Sequence, residues 1–125
     1  MNDKFSSAIM QQMAYKHTLL LQYATGFVKA AHALALRGLA VGSDDVPGEY
    51  QPPNDGKHKG IPGSAIAMLR EAHIIENHDR RKSSRPSANG RWIATYRLTS
   101  LSAAERFLRE QGIEVERQWR LELTA

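Results

Sequence analysis

The sequence contains no cysteine. Disulfide scaffolds, thiolate zinc sites and a cysteine nucleophile are therefore excluded, and a reducing cytoplasm is the natural setting. It also lacks a long apolar run free of charge. The most apolar window, Thr18 to Leu39, carries Gln22, Lys29, His32 and Arg37. Those side chains are costly in lipid, so the window reads as a buried helix and no membrane partner is expected. The N-terminus, Met1-Asn2-Asp3-Lys4, leads into a polar, serine-containing stretch, and no secretory signal is expected there. There is no internal repeat.

The motifs of common enzymes are missing as well. Gly60-Ile61-Pro62-Gly63 has neither the preceding strand nor the following Lys-Ser/Thr of a phosphate-binding loop. His73, Glu76, His78 and Asp79 fall where a helix gives way to a strand, without the His-Glu-x-x-His spacing of a metal site. Ser64 and Ser102 have no histidine partner at a recognisable spacing. Asp44-Asp45 reads as a helix cap before it reads as a catalytic pair. Neither catalysis, a cofactor nor a metal is expected.

What is present is a core and an uneven distribution of charge. Apolar residues make up 42% of 125, enough for one folded domain and too many for a disordered chain. Residues 1–55 hold four Lys/Arg against five Asp/Glu, as do residues 99–125. Residues 56–98 hold nine (Lys57, Lys59, Arg70, Arg80, Arg81, Lys82, Arg85, Arg91, Arg97) against Glu71, Glu76 and Asp79. A basic segment between acidic flanks is the footprint of a polyanion partner, or simply of a solvated face.

Periodicity divides the chain into a helical part (1–39), a loop (40–60), a helix and hairpin (61–98) and a helix plus strand (99–125). Ile9, Met13, Leu20, Tyr23, Phe27, Ala30 and Leu34 form one helical stripe interrupted by Lys16, with Ser6 or Ser7 as cap, Thr25-Gly26 as a break and Arg37-Gly38 as a stop. The stripe serves either the domain core or a homodimer arm within residues 6–34. Gly42 to Pro47 reads as a turn with a short helical start, and Pro47 to Gly60 as loop. Ile61, Ala65, Leu69 and Ala72 share the buried face of a second helix, opposite Ser64, Ala67, Arg70 and Glu71. Ile74 to His78 reads as a strand, Arg80 to Gly90 as a basic loop ending in the hairpin signal Asn89-Gly90, and Arg91 to Leu98 as a strand. On that second strand Trp92 and Tyr96, with Ala94 and Leu98, are expected to pack on the helices rather than stack on bases. Ser102 and Glu105 suggest a capping box, Gly112 a stop, and Ile113 to Leu123 a final strand in which Trp119 is core or subunit contact.

Helix, strand, basic loop and strand, in that order, are the parts of a winged helix, whose helix lies in a major groove while the hairpin touches the backbone or minor groove. The run Ile61-Pro62-Gly63-Ser64-Ala65-Ile66-Ala67-Met68-Leu69-Arg70-Glu71-Ala72-His73-Ile74-Ile75, followed by Arg81-Lys82-Ser83-Ser84-Arg85-Pro86-Ser87-Ala88-Asn89-Gly90-Arg91, resembles the recognition helix and wing of small winged helix-turn-helix proteins encoded by bacteriophages. Their wings often read Lys-Ser-x-Arg-Pro-Ser-x-x-Gly-Arg. Two departures stand out: Ala72-His73 replaces the usual glycine turn, and a Pro/Gly-rich loop replaces the preceding helix.

The resulting expectation is an α+β winged-helix domain with an N-terminal helical extension and a C-terminal helix plus strand. It binds duplex DNA, without catalysis, in gene regulation or replication of a phage or prophage. Ser64, Ala67 and Arg70 face the duplex, although Arg70 has the alternative of an ion pair with Glu71. Arg80, Arg81, Lys82, Arg85 and Arg91, with Ser84, hold the backbone, and Lys57 and Lys59 clamp it from the helix start. The other reading is an adaptor that uses the same frame to bind a host or phage protein.

Overall fold

The structure, a computed structural model, describes residues 3–83 and 91–114, with backbone alone for residues 3–9. Within that range the chain is mixed α+β: three helices against a three-stranded antiparallel sheet. Helix α1 (Asp3–Ala35) leads to strand β1 (Val41–Gly42), helix α2 (Ile61–Glu71), the hairpin β2 (Ile75–Lys82) and β3 (Trp92–Leu98), and helix α3 (Leu101–Glu110). The strand order is β1-β3-β2. No helix of the described residues is long and apolar enough to cross a membrane.

Helix α1 is continuous, which corrects the expected break at Thr25-Gly26. The Thr25 hydroxyl donates to the Leu21 carbonyl at 2.7 Å, so it is satisfied inside the helix and has no need to cap a new one. Gly26 is there for space: a Cβ at this position would lie 2.4 Å from Cβ and Cγ of Tyr50. Gln22 donates to the Glu49 carbonyl at 2.8 Å and the Lys29 ammonium to the Tyr50 hydroxyl at 2.8 Å. Positions 22, 26 and 29 form one stripe, and they clasp a 3-10 turn at Gly48–Tyr50. Two of the polar residues that make this window a poor membrane span, Gln22 and Lys29, thus hold the long loop. The helix already includes Ser6 and Ser7, so they lie inside it and not at its cap.

The opposite face of α1 builds the core. Tyr23, Phe27 and Val28 are buried with Leu69 of α2, Ile75 of β2, Val41 of β1 and Leu108 of α3. Each such side chain contributes about 1.5–3 kcal/mol on burial. Phe27 meets Tyr96 of β3 edge-on, with centroids 5.9 Å apart, and this contact couples α1 to the sheet. Because Leu19, Tyr23, Ala24, Phe27, Val28 and Ala31 are spent on the core, the expected stripe within 6–34 serves the domain from Leu19 onward. Before it, Met10 to Thr18 are exposed, including Met10, Met13 and Tyr15. Ala72, expected on the buried face of α2, is exposed because the helix has already ended: it is the C-cap.

Three boundaries differ from the sequence reading. Residues 40–60 contain β1 and two 3-10 turns, since Val41 buries its side chain and pairs with Tyr96 while Gly42 pairs with Thr95. Strand β2 runs past His78 to Lys82, so Arg80, Arg81 and Lys82 are paired strand residues opposite Ala94, Ile93 and Trp92 rather than loop. Helix α3 is capped by Ser100, whose hydroxyl accepts from Ala103 N at 3.1 Å, and not by Ser102; Glu105 is buried instead of closing a capping box. The stops are as expected. Gly38 and Gly112 take φ of +72° and +78°, and Leu39 N and Ile113 N close back on Leu34 and Leu108, each at 2.9 Å. Ile113 packs against the core, and residues 115–123 of the expected last strand lie outside the described residues.

One irregularity positions the hairpin. Between Asn77 and Arg80, β2 has one residue more than the facing stretch of β3. The Asp79 amide loses its ladder partner and donates to the Thr95 hydroxyl at 3.1 Å, while Arg80 N donates to the Asp79 carboxylate at 2.8 Å. Directly opposed residues share a face. Arg80, Lys82, Ala94 and Trp92 therefore continue the core-side face of Tyr96 beyond the core's edge, and Arg81 and Ile93 lie on the other side.

Candidate nucleic-acid interface

Helix α2 is held by Ile61, Ala65 and Leu69, all buried. Its outer side exposes Gly63, Ser64, Ala67, Arg70 and Glu71, as the pattern predicts. Two small residues at Ser64 and Ala67 leave the helix backbone open to close approach. The N-terminus has no side-chain cap: Gly60 occupies that position and Pro62 follows in the first turn. Such an end favours negative charge. Lys57 and Lys59 are exposed in the segment just before it.

That segment has an internal clamp that sequence reasoning missed. Asp55 Oδ1 accepts from Lys57 N and His58 N, each at 3.0 Å, and lies 2.7 Å from the His58 ring nitrogen Nδ1. His58 is itself buried, with the Tyr15 ring edge-on at 5.7 Å. Desolvation pushes the Asp55 carboxyl up, but the His58 side-chain and backbone hydrogen bonds, the His58 charge and the Lys57 amide together outweigh it and hold the carboxyl below its ordinary value. The Asp55-to-Lys57 and Asp55-to-His58 spacings are those of an Asx turn, the one local signal that could have revealed this clamp.

At the other end of α2, Arg70 lines a shallow cleft with Ala67, His73, Glu76, Asn77 and Thr99. It makes no ion pair among the described residues, so the alternative of a bridge to Glu71 is absent there. His73 turns the chain with φ of +59°, its amide bonded to the Arg70 carbonyl at 3.0 Å, and Thr99 donates to the His73 carbonyl. A histidine thus supplies the left-handed turn for which glycine was expected. Strand β2 then carries the chain away by seven residues, about 23 Å at strand rise. Arg70 and the hairpin cations can therefore meet only separate parts of one ligand.

Arg81 is the clearest departure among the expected contact residues. Its Nη2 lies 2.5 Å from Asp44 Oδ1 and 2.7 Å from Asp45 Oδ2, at the 3-10 turn Ser43–Asp45. The Asp44 side chain is only 2% exposed against 40% for Arg81. A buried carboxylate needs this guanidinium, so Arg81 belongs to the fold and not to the free phosphate-binding set. Asp45 also accepts from Gly42 N at 2.8 Å, which keeps part of the expected capping role. Gly42 leaves the passage open, since a Cβ there would stand 2.9 Å from Ile93 Cδ1 and 3.0 Å from Arg81 Nη2.

The remaining hairpin cations Arg80, Lys82 and Arg91 are exposed, and the Ser83 amide closes on the Arg91 carbonyl at 2.8 Å. Ser84, Arg85 and the turn expected at Asn89-Gly90 lie outside the described residues. Trp92, expected to pack on the helices with Tyr96, is 59% exposed instead, because the sheet at Trp92 has passed the end of the core. Among the described residues no group of three or more His, Asp or Glu side chains is arranged to hold a metal ion. The chain matches no protein-family model, no curated protein and no solved structure.

Proposed function

We propose that the chain is a winged-helix protein that binds duplex DNA without catalysing a reaction, in gene regulation or replication of a phage or prophage. The observation that carries this reading is an exposed, small-residue face on α2, flanked by exposed Lys57 and Lys59 and followed directly by a hairpin exposing Arg80, Lys82 and Arg91. The strand order β1-β3-β2, with α2 leading into the β2–β3 hairpin, supports the winged-helix frame. In place of the helix that normally precedes a recognition helix stand two 3-10 turns and the Asp55–His58 clamp. On this reading Ser64, Ala67 and Arg70 face a groove, and Lys57, Lys59, Arg80, Lys82, Ser84, Arg85 and Arg91 hold phosphates.

The test is duplex binding across a salt series. Four to six phosphate contacts give log Kd against log salt a slope of about 4–5. Arg80→Ala and Lys82→Ala should each lower that slope by about 1. Duplex affinity that ignores salt, or is absent at low salt, rules the reading out. The adaptor alternative is favoured by one observation, the exposed Met10, Met13 and Tyr15 on the free part of α1. It predicts a host or phage protein held through those residues and no salt-linked DNA binding.

A further inference from the structure

From the exposed face of the hairpin we infer that Trp92 is a stacking platform for an unpaired nucleobase, so that this protein prefers duplex DNA carrying a single-stranded extension to blunt duplex. The inference rests on the DNA-binding reading above and specifies the form of the DNA. Trp92 is 59% exposed, although an indole in a small domain ordinarily contributes its large area to the core. It sits where the core-side face of β3 has left the core, in register with Lys82, and Ala94 is the next residue on that face. Ala94 is itself exposed and ends at a methyl, so no bulky neighbour on β3 covers the ring from that side. Arg80 faces Ala94 across the ladder, and Arg91 is exposed one position before Trp92.

The flanking charges select the occupant. The Lys82 ammonium is 6.0 Å from the indole centroid, at the outer limit of a cation–π contact, so it neighbours the ring without clamping it. An aromatic face with Arg80, Lys82 and Arg91 around it matches a nucleotide: the base takes the ring and the cations take the phosphates on either side. A purely apolar partner would leave these cations unpaired. A base pair inside a duplex is stacked on both sides and the end pair offers a single face along the helix axis, so a platform beside phosphate-binding cations favours an unpaired base that can turn out to meet it.

The experiment uses the full chain carrying Trp119→Phe, so that Trp92 is its sole tryptophan, with circular dichroism confirming the fold. Blunt duplex, the same duplex with a short single-stranded tail, and the tail alone are compared by Trp92 fluorescence and by affinity. The tailed duplex should quench the emission, and the blunt duplex should bind with little quenching. In the otherwise native chain, Trp92→Ala should weaken tailed-duplex binding about 5- to 100-fold and leave blunt-duplex binding within about twofold. Trp92→Phe should keep most of the preference. Equal affinity of Trp92→Ala and the native chain for the tailed duplex, with Lys82→Ala still weakening both substrates, overturns the platform and leaves DNA binding standing. Absence of salt-linked binding to all three probes overturns both.

Discussion

Arg81 shows how one residue can change its meaning between a charge count and a fold. It stands in the most basic stretch of the chain, yet its guanidinium neutralises a carboxylate pair 36 and 37 residues earlier. Arg81→Ala should therefore cost stability, about 1–2 kcal/mol. The figure lies below that for a fully buried pair because the arginine side chain is 40% exposed. A lowered melting temperature with an unchanged DNA salt slope is the expected signature, and the reverse pattern would return Arg81 to the phosphate contacts. His73 offers a change of opposite sign. Its φ of +59° is one that glycine adopts without strain. After the added freedom of the unfolded chain is subtracted, His73→Gly should gain about 0.5 kcal/mol. Denaturant titration should show a higher midpoint with an unchanged m-value.

At the scale of elements, α1 works through two faces. One is apolar and was legible from its spacing. The other joins Gln22 to Glu49 and Gly26 and Lys29 to Tyr50, and no local signal reports a partner 21 to 27 residues away. The same limit explains the rest. Helix α2, strand β3 and the glycine stops follow from periodicity and turn chemistry, whereas β1 has two residues, too few to show an alternation. Ser102 and Glu105 had the spacing of a cap, but burial of Glu105 decided otherwise. Of the expected contact residues, exposure of Arg70 follows from the face pattern and that of Arg80 from its basic surroundings, although it lies in a strand and not in a loop. The engagement of Arg81 and the exposure of Trp92 depend on where the core ends, which only the packed molecule defines. Gly26→Ala tests the second face. Alanine would favour the isolated helix by about 1 kcal/mol, but its Cβ would overlap Tyr50, so a net loss of about 1–3 kcal/mol is expected. Adding Tyr50→Ala should relieve much of that loss in a thermal double-mutant cycle.

At the scale of the whole molecule, the core occupies one end of α1 and leaves Met10 to Thr18 exposed beyond it, with Tyr15 reaching the His58 ring. A solitary helix of that length is marginal in water. Deleting residues 1–13 should move the melting temperature of a dilute sample by less than about 2 °C, since Tyr15 and its contact with His58 remain. The DNA salt slope should be unchanged by this deletion. A larger thermal loss would mean that the removed segment packs on the domain.

The extra residue between Asn77 and Arg80 sets the parity of everything beyond it. Side chains of a strand alternate, and here the count slips by one, so that Asn77 and Arg80, three positions apart, share a side. With it, Arg80 and Lys82 accompany Trp92 and Arg81 turns to Asp44 and Asp45. Removal of His78 would set Asp79 opposite Thr95 and leave Arg80, Arg81 and Lys82 opposite Ala94, Ile93 and Trp92. A change of length by one is thus absorbed at the bulge, whereas the same change between Arg80 and Lys82 would move Lys82 to the side of the two aspartates and rewrite which cations the protein shows to the outside.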